Sequence, residues 1–119
     1  MKTLIVDDSR IIRSAIERHL KHFQLEIVGT ATNGVEALEL FKEHLPDFVT
    51  LDITMPEMDG LACLREMMQV KPEARVLVMS ALTDKPTILK ALKEGAKGFL
   101  GKPITPDSFK EAVQKIITD

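Results

Sequence analysis

The sequence predicts an α/β domain of the doubly wound type, five βα units around a five-stranded parallel sheet; the flavodoxin-like strand order 2-1-3-4-5 is the usual solution for that pattern, the order itself not being read directly from the residues. Three observations predict it. Short apolar runs alternate with longer segments of helical period, the signature of βα units. The runs are predominantly apolar at successive positions, Glu26 and Thr50 excepted, as strands covered on both faces favour. The alternation uses almost all of the 119 residues, with no internal repeat, low-complexity stretch or linker, so one domain over 1–119 is expected. In such sheets ligands bind outside the carboxyl ends of the strands.

Each element follows in order. Leu4-Ile5-Val6 predicts the first strand, and Ile12, Ala15, Ile16 and Leu20 form the apolar stripe of the first helix, which Ser9 can cap. Leu25 to Val28 predicts the second strand. Ala37, Leu38, Phe41 and Leu45 mark the second helix, opened by Asn33 with Glu36 three residues on, close to a capping box, and stopped near Leu45-Pro46. Phe48 to Leu51 predicts the third strand, and Leu61, Leu64, Met67 and Met68 the third helix. Val76 to Met79 predicts the fourth strand; Ile88, Leu89 and Leu92 give the fourth helix, with Gly95 at its C-terminal left-handed position. Gly98-Phe99-Leu100 predicts the fifth strand. Thr105 followed by Pro106 caps the fifth helix, whose stripe is Phe109, Ala112, Val113 and Ile116.

Composition bounds the function. Sixteen basic against 18 acidic side chains leave a net charge of −2, which argues against an electrostatic nucleic-acid binder. For 13.3 kDa, area scaling gives about 6,500 Å² folded against about 19,000 Å² unfolded, enough burial for a self-sufficient core. Cys63 is the one cysteine, and no His/Cys cluster has zinc-ligand spacing, so a reducing, cytoplasmic setting is expected. The first apolar run is three residues long before Asp7-Asp8, and nowhere do 18 apolar residues run together. Neither a secretory leader nor membrane insertion is expected.

The chemistry stands immediately after the strands. Asp7 and Asp8 follow the first, Asp52 the third, Ser80 the fourth and Lys102 the fifth. With strands 1 and 3 adjacent, three carboxylates meet in one crevice. Unit charges about 4 Å apart repel by roughly 4 kcal/mol at an effective dielectric of about 20, so the trio needs raised pKa values, a cation, or both. Oxygen-only donors on a watery edge suit Mg²⁺, with Mn²⁺ as a substitute, held by Asp7 and Asp8 with Asp52 as third ligand. Lys102 and Ser80 add a flexible positive charge and a hydroxyl aimed at the same point, so an anion is expected there. A carboxylate nucleophile, a metal and a Lys make a phosphoryl-transfer site, and the central Asp52 is the expected nucleophile.

These residues resemble the response-regulator receiver domain over essentially the whole chain. The resemblance rests on Leu4-Ile5-Val6-Asp7-Asp8-Ser9, Leu51-Asp52-Ile53-Thr54-Met55-Pro56-Glu57-Met58-Asp59-Gly60, Val78-Met79-Ser80-Ala81 and Lys97-Gly98-Phe99-Leu100-Gly101-Lys102-Pro103. It implies a CheY-like fold and a phosphorylation-controlled switch. Asp52 then accepts a phosphoryl group from a histidine kinase or phosphotransfer protein. Mg²⁺ is bound by Asp7, Asp8, Asp52 and the backbone carbonyl of Thr54; Ser80 and Lys102 bind the phosphoryl oxygens; the Lys102-Pro103 bond is cis. Ser80 is drawn inward on phosphorylation and Phe99 rotates into the space behind it. Phe99 stands where Tyr is most often described, so any switching there works by packing alone. Thr54 and Leu82 flank the water approach, and apolar Leu82 cannot orient an attacking water, so the acyl phosphate is expected to outlast that of an otherwise similar protein with a polar residue there.

The expected output face is that of the fourth helix, fifth strand and fifth helix. From Lys85 to Lys115 there are seven Lys against Glu94, Asp107 and Glu111, so beyond the site-facing Lys102 the face leans positive, which fits an acidic or amphipathic helical partner. The chain ends after the fifth helix, so output through a protein target is expected. The wording from Asp52 to Gly60 resembles the stand-alone chemotaxis type most closely, implying a flagellar motor switch as target; a phosphorelay intermediate or other stand-alone regulator is the alternative. A monomer is expected, with a phosphorylation-dependent dimer as the other outcome. Ile104-Thr105 after Pro103, where an aromatic is common, and Leu82 to Pro86 depart from the family pattern on the partner surface. A flavin module would want a hydroxyl- and Gly-rich loop after strand 1 and stacking aromatics. An aspartyl-phosphate hydrolase would carry Asp-x-Asp there. The chain is thus read as a switch that catalyses only its own phosphorylation and dephosphorylation. His19, His22 and His44 are read as solvated or packed, Cys63 as a partly buried small residue, Met67-Met68 as core, and Met55 and Met58 as cover for the sheet edge.

Overall fold

A computed structural model describes residues 1–54 and 60–118. The elements are β1 (Lys2–Val6), α1 (Arg10–Leu20), β2 (Glu26–Ala31), α2 (Gly34–His44), β3 (Phe48–Asp52), α3 (Gly60–Val70), β4 (Arg75–Ser80), α4 (Lys85–Lys93), β5 (Gly98–Gly101) and α5 (Pro106–Thr118). All strand pairs are parallel and the order is β2-β1-β3-β4-β5. The predicted architecture is the observed one.

The sheet is buried on both faces, which is why its strands are apolar at consecutive positions. On one face Leu4, Val6, Val49, Leu51, Val76 and Val78 pack against Phe41 of α2, Leu64 and Met67 of α3 and Ala91 of α4. On the other, Ile5, Phe48, Leu77 and Met79 meet Ile16 and Leu20 of α1 and Phe109, Val113 and Ile116 of α5. Neighbouring residues of one strand therefore serve opposite cores.

Local chemistry sets the helix ends. Ser9 Oγ accepts from the Ile12 N–H at 3.3 Å, and Asn33 Oδ1 from the Glu36 N–H at 2.8 Å. Glu36 reaches back to the Thr32 N–H at 3.0 Å, one residue before the position a capping box would use. Gly95 ends α4 at φ +112°, with its N–H on Leu92 O and the Ala96 N–H on Ala91 O, both at 3.1 Å. Thr105 Oγ1 caps α5 by accepting from the Ser108 N–H at 3.2 Å. Asp84, a cap the sequence reading did not assign, accepts from the Thr87 N–H at 3.2 Å.

Four expectations are corrected. The second strand runs to Ala31, past Gly29-Thr30, because β2 is an edge strand paired only with β1 and needs no continuous apolar run. Leu45 does not belong to the α2 stripe: it is the left-handed C-cap at φ 48°, exposed, its N–H on Phe41 O at 2.8 Å. In α4 the small Ala91 faces the sheet and is fully buried, whereas Leu89 and Leu92 are 50% and 45% exposed. Cys63 is fully rather than partly buried.

Candidate functional site

The register brings the strand ends together. Val6 pairs with Leu51, so Asp7 comes to lie beside Asp52, and Ser80 pairs with Gly101, so Lys102 emerges next to them. Carboxylate oxygens of Asp7, Asp8 and Asp52 lie within 4.8 Å of one another. Asp7 and Asp52 are buried, and Asp8 is exposed. Lys102 Nζ donates to Asp7 Oδ2 at 3.0 Å and to Asp52 Oδ2 at 3.1 Å. One ammonium against three carboxylates leaves the pocket acidic.

The electrostatics follow from that imbalance. Burial pushes the Asp7 carboxyl above its usual range and the nearby Asp52 charge adds to this, while the Ser9 N–H and Lys102 oppose it. For Lys102, burial works to lower the pKa, but the hydrogen bonds and charges of Asp7 and Asp52 together outweigh it, and the ammonium is held above its usual value. Among the described residues this is the one cluster of His, Cys, Asp and Glu that could hold a metal ion. Its oxygen-only donors, negative balance and one exposed arm fit a hard divalent cation.

Asp52 has partners on both oxygens. Oδ2 accepts from Lys102, and Oδ1 accepts from the Thr54 N–H at 2.9 Å and the Thr54 hydroxyl at 2.6 Å. Sequence reasoning had used only the carbonyl and the position of Thr54, and a hydroxyl two residues after an acid is the signal that could have shown more. It also missed Arg13, whose Nη1 donates to the Asp7 backbone carbonyl at 2.8 Å.

Ser80 is buried, and its Oγ accepts from the Leu82 N–H at 2.9 Å rather than reaching the carboxylates. Its carbonyl accepts from the Lys102 N–H at 2.9 Å, tying the fourth and fifth strand ends together. Leu82 is 56% exposed and lines, with exposed Thr54, a cleft of about 470 Å³ beside α4. Phe99 is half-buried and packs against the core on the α2, α3 and α4 side. The Lys102-Pro103 peptide is cis. Met55 to Asp59, including Met55 and Met58, lie outside the described residues.

The other candidates have local roles. His19 packs on Phe109, ring centroids 6.0 Å apart, and burial together with Arg18, Lys110 and His22 lowers its pKa. His44 lies 3.5 Å from Glu43, and His22 is exposed. The Cys63 thiol points at the Gly34 carbonyl at 3.7 Å, and burial pushes its pKa up to about 12. No helix among the described residues is long and apolar enough to cross a membrane.

Comparison with known proteins agrees with this geometry. The family model for the response regulator receiver domain matches residues 3–114. The chemotaxis protein CheY of Thermotoga maritima is 42% identical over 115 residues, covering 97% of this chain and 96% of its own. That of Listeria monocytogenes is 44% identical over 115 residues, 97% of each chain. The crystal structure of the CheX-CheY-BeF3-Mg²⁺ complex from Borrelia burgdorferi matches with a TM-score of 0.94 at 36% identity, over 100% of this chain and 90% of that one. The chain therefore belongs to the response regulator receiver domain family, closely related to the CheY chemotaxis regulators.

Proposed function

We propose that this receiver, one unit over residues 1–119, works in the cytoplasm as a Mg²⁺-dependent phosphoryl acceptor, with Asp52 as the acceptor. A carboxylate oxygen of Asp52 attacks the phosphorus of a phosphohistidine on a histidine kinase or phosphotransfer protein. An O–P bond forms, the P–N bond breaks, and the imidazole leaves with the electron pair and regains a proton from water. Asp7, Asp8, Asp52 and the Thr54 backbone carbonyl would hold Mg²⁺, which when bound would supply positive charge to the phosphoryl oxygens. Lys102 neutralises charge from the other side, and Ser80 turns its hydroxyl from the Leu82 N–H toward the new acceptor oxygens. Hydrolysis restores the Asp52 carboxylate and releases inorganic phosphate. The protein is a switch that acts on itself rather than a metabolic enzyme.

The single observation that carries this reading is the buried Asp52 carboxylate, held by Lys102 and clustered with Asp7 and Asp8. The Borrelia burgdorferi relative, solved with CheX, BeF3 and Mg²⁺, supports both the ion and a protein partner. For the output we infer a chemotaxis target of the flagellar motor switch kind, read by α4, β5 and α5. Leu89 and Leu92 are exposed there, and Lys85, Lys90, Lys93 and Lys97 carry positive charge. Phe99 is assigned to report the phosphorylation state by packing. Incubation with a small acyl-phosphate donor and Mg²⁺ tests the core of the reading: intact mass rises by one phosphoryl group, and Asp52→Asn abolishes the rise. A rise that survives Asp52→Asn overturns it.

A further inference from the structure

Asp7 is held at every polar atom. Its N–H donates to Ala31 O at 3.0 Å, and its carbonyl accepts from Arg13 Nη1 at 2.8 Å. Its Oδ1 accepts from the Ser9 N–H at 2.9 Å and its Oδ2 from Lys102 at 3.0 Å. Asp8, the next residue, is exposed, and its direction depends on the orientation of the peptide that joins it to Asp7. Among the described residues Arg13 is the one side chain that grips that peptide, from a half-buried position in the first turn of α1. The remaining bonds fix the Asp7 side chain and its N–H but leave the carbonyl plane free to turn.

We propose that Arg13 is a positioning residue of the carboxylate cluster. By holding the Asp7 carbonyl it fixes the peptide plane that aims Asp8 into the space between Asp7 and Asp52, so the three carboxylates are arrayed before a divalent cation arrives. The inference rests on the reading that this pocket takes Mg²⁺. Groups that orient metal ligands without touching the metal are worth about 10- to 100-fold in metal affinity. A guanidinium that served only as a counter-charge would act with the opposite sign, because it repels the incoming cation. The direction of the effect therefore separates the two roles.

The test is Mg²⁺ binding measured by calorimetry on the whole protein, without phosphoryl donor and below all unfolding transitions. Arg13→Met weakens Mg²⁺ binding about tenfold, whereas Arg13→Lys, whose ammonium ends one bond short of Nη1 and keeps a donor directed at the carbonyl, stays within about threefold of the parent. Circular dichroism identifies an Arg13→Met protein that does not fold; the comparison then passes to Arg13→Lys against the donor-less Arg13→Ala. Unchanged or tighter binding by the donor-less variant, with the parent binding Mg²⁺ normally, overturns the Arg13 assignment alone. A parent that binds no Mg²⁺ overturns the metal reading and the assignment with it.

Discussion

The Thr54 hydroxyl donates to Asp52 Oδ1 at 2.6 Å, on the same oxygen that takes the Thr54 N–H. A donated hydrogen bond withdraws electron density from a carboxylate oxygen, and it must loosen before that oxygen binds phosphorus or a metal. Thr54→Val keeps the branched shape and removes the donor. It is expected to speed phosphorylation by a small acyl-phosphate donor about fivefold, the worth of one hydrogen bond of about 1 kcal/mol. Thr54→Ser returns the rate toward the parent. Single-turnover kinetics followed by intact mass read the difference, and a slower Thr54→Val protein contradicts it.

Leu82 lines the cleft shared with Thr54 and presents no polar group to a water approaching residue 52. Leu82→Gln supplies one and is expected to shorten the half-life of the acyl phosphate several-fold. Decay after rapid removal of the donor measures this, and an unchanged half-life removes the role given to Leu82.

On the proposed reading, the folded chain is expected to bind Mg²⁺ better than the unfolded one, because folding gathers carboxylate oxygens of Asp7, Asp8 and Asp52 within 4.8 Å of one another. At about 100 times the dissociation constant, Mg²⁺ is expected to raise stability by about 2.7 kcal/mol. EDTA reverses the gain and Asp8→Ala removes most of it. Because Asp8→Ala also removes one of three mutually repelling carboxylates, the metal-free unfolding temperature of that variant is expected to lie at or above the parent's, and a scan with and without Mg²⁺ checks both statements.

Asp47 ties three segments together: it accepts from the Lys2 N–H at 2.9 Å and from Lys71 Nζ at 3.0 Å, and its carbonyl accepts from the Arg75 N–H. The Lys2 and Lys71 hydrogen bonds hold its pKa below 3.8. A carboxyl lowered on folding adds stability above its unfolded value, and that contribution fades as pH falls through the folded one. Asp47→Asn is therefore expected to melt lower than the parent at pH 7, with the gap closing below pH 3.8. Melting curves at stepped pH show it; a gap that widens in acid refutes it.

Gly60 opens α3 so close to β3 that a Cβ would overlap the Ile53 backbone. Gly60→Ala is expected to cost about 2 kcal/mol by overpacking and to disturb Thr54, the neighbour of Ile53. Urea unfolding and the phosphorylation rate report the two effects together.

The site was legible where it stands at strand ends. Parallel strands read as apolar runs, so the polar residue that breaks each run, Asp7, Asp52, Ser80 or Lys102, declares itself. The hydrogen bonds of Arg13 and Thr54 were not legible as such, because contacts to a backbone carbonyl or across two residues leave no periodic trace. In α4, Ile88, Leu89 and Leu92 have the spacing of a core stripe, yet Ala91 is the residue that packs. Short side chains let a helix approach a sheet, and the apolar period alone cannot tell which of two neighbouring faces turns inward. The end of β2 was hidden because an edge strand tolerates Gly29 and Thr30.

Cys63 is the chain's only sulfhydryl, enclosed in the core, with its pKa at about 12. At neutral pH it offers almost no thiolate and no access to alkylating dyes. The native protein is thus chemically silent toward maleimides, and a single reporter cysteine introduced on the outer surface of α4 would take up a fluorophore alone, ready to watch that helix respond.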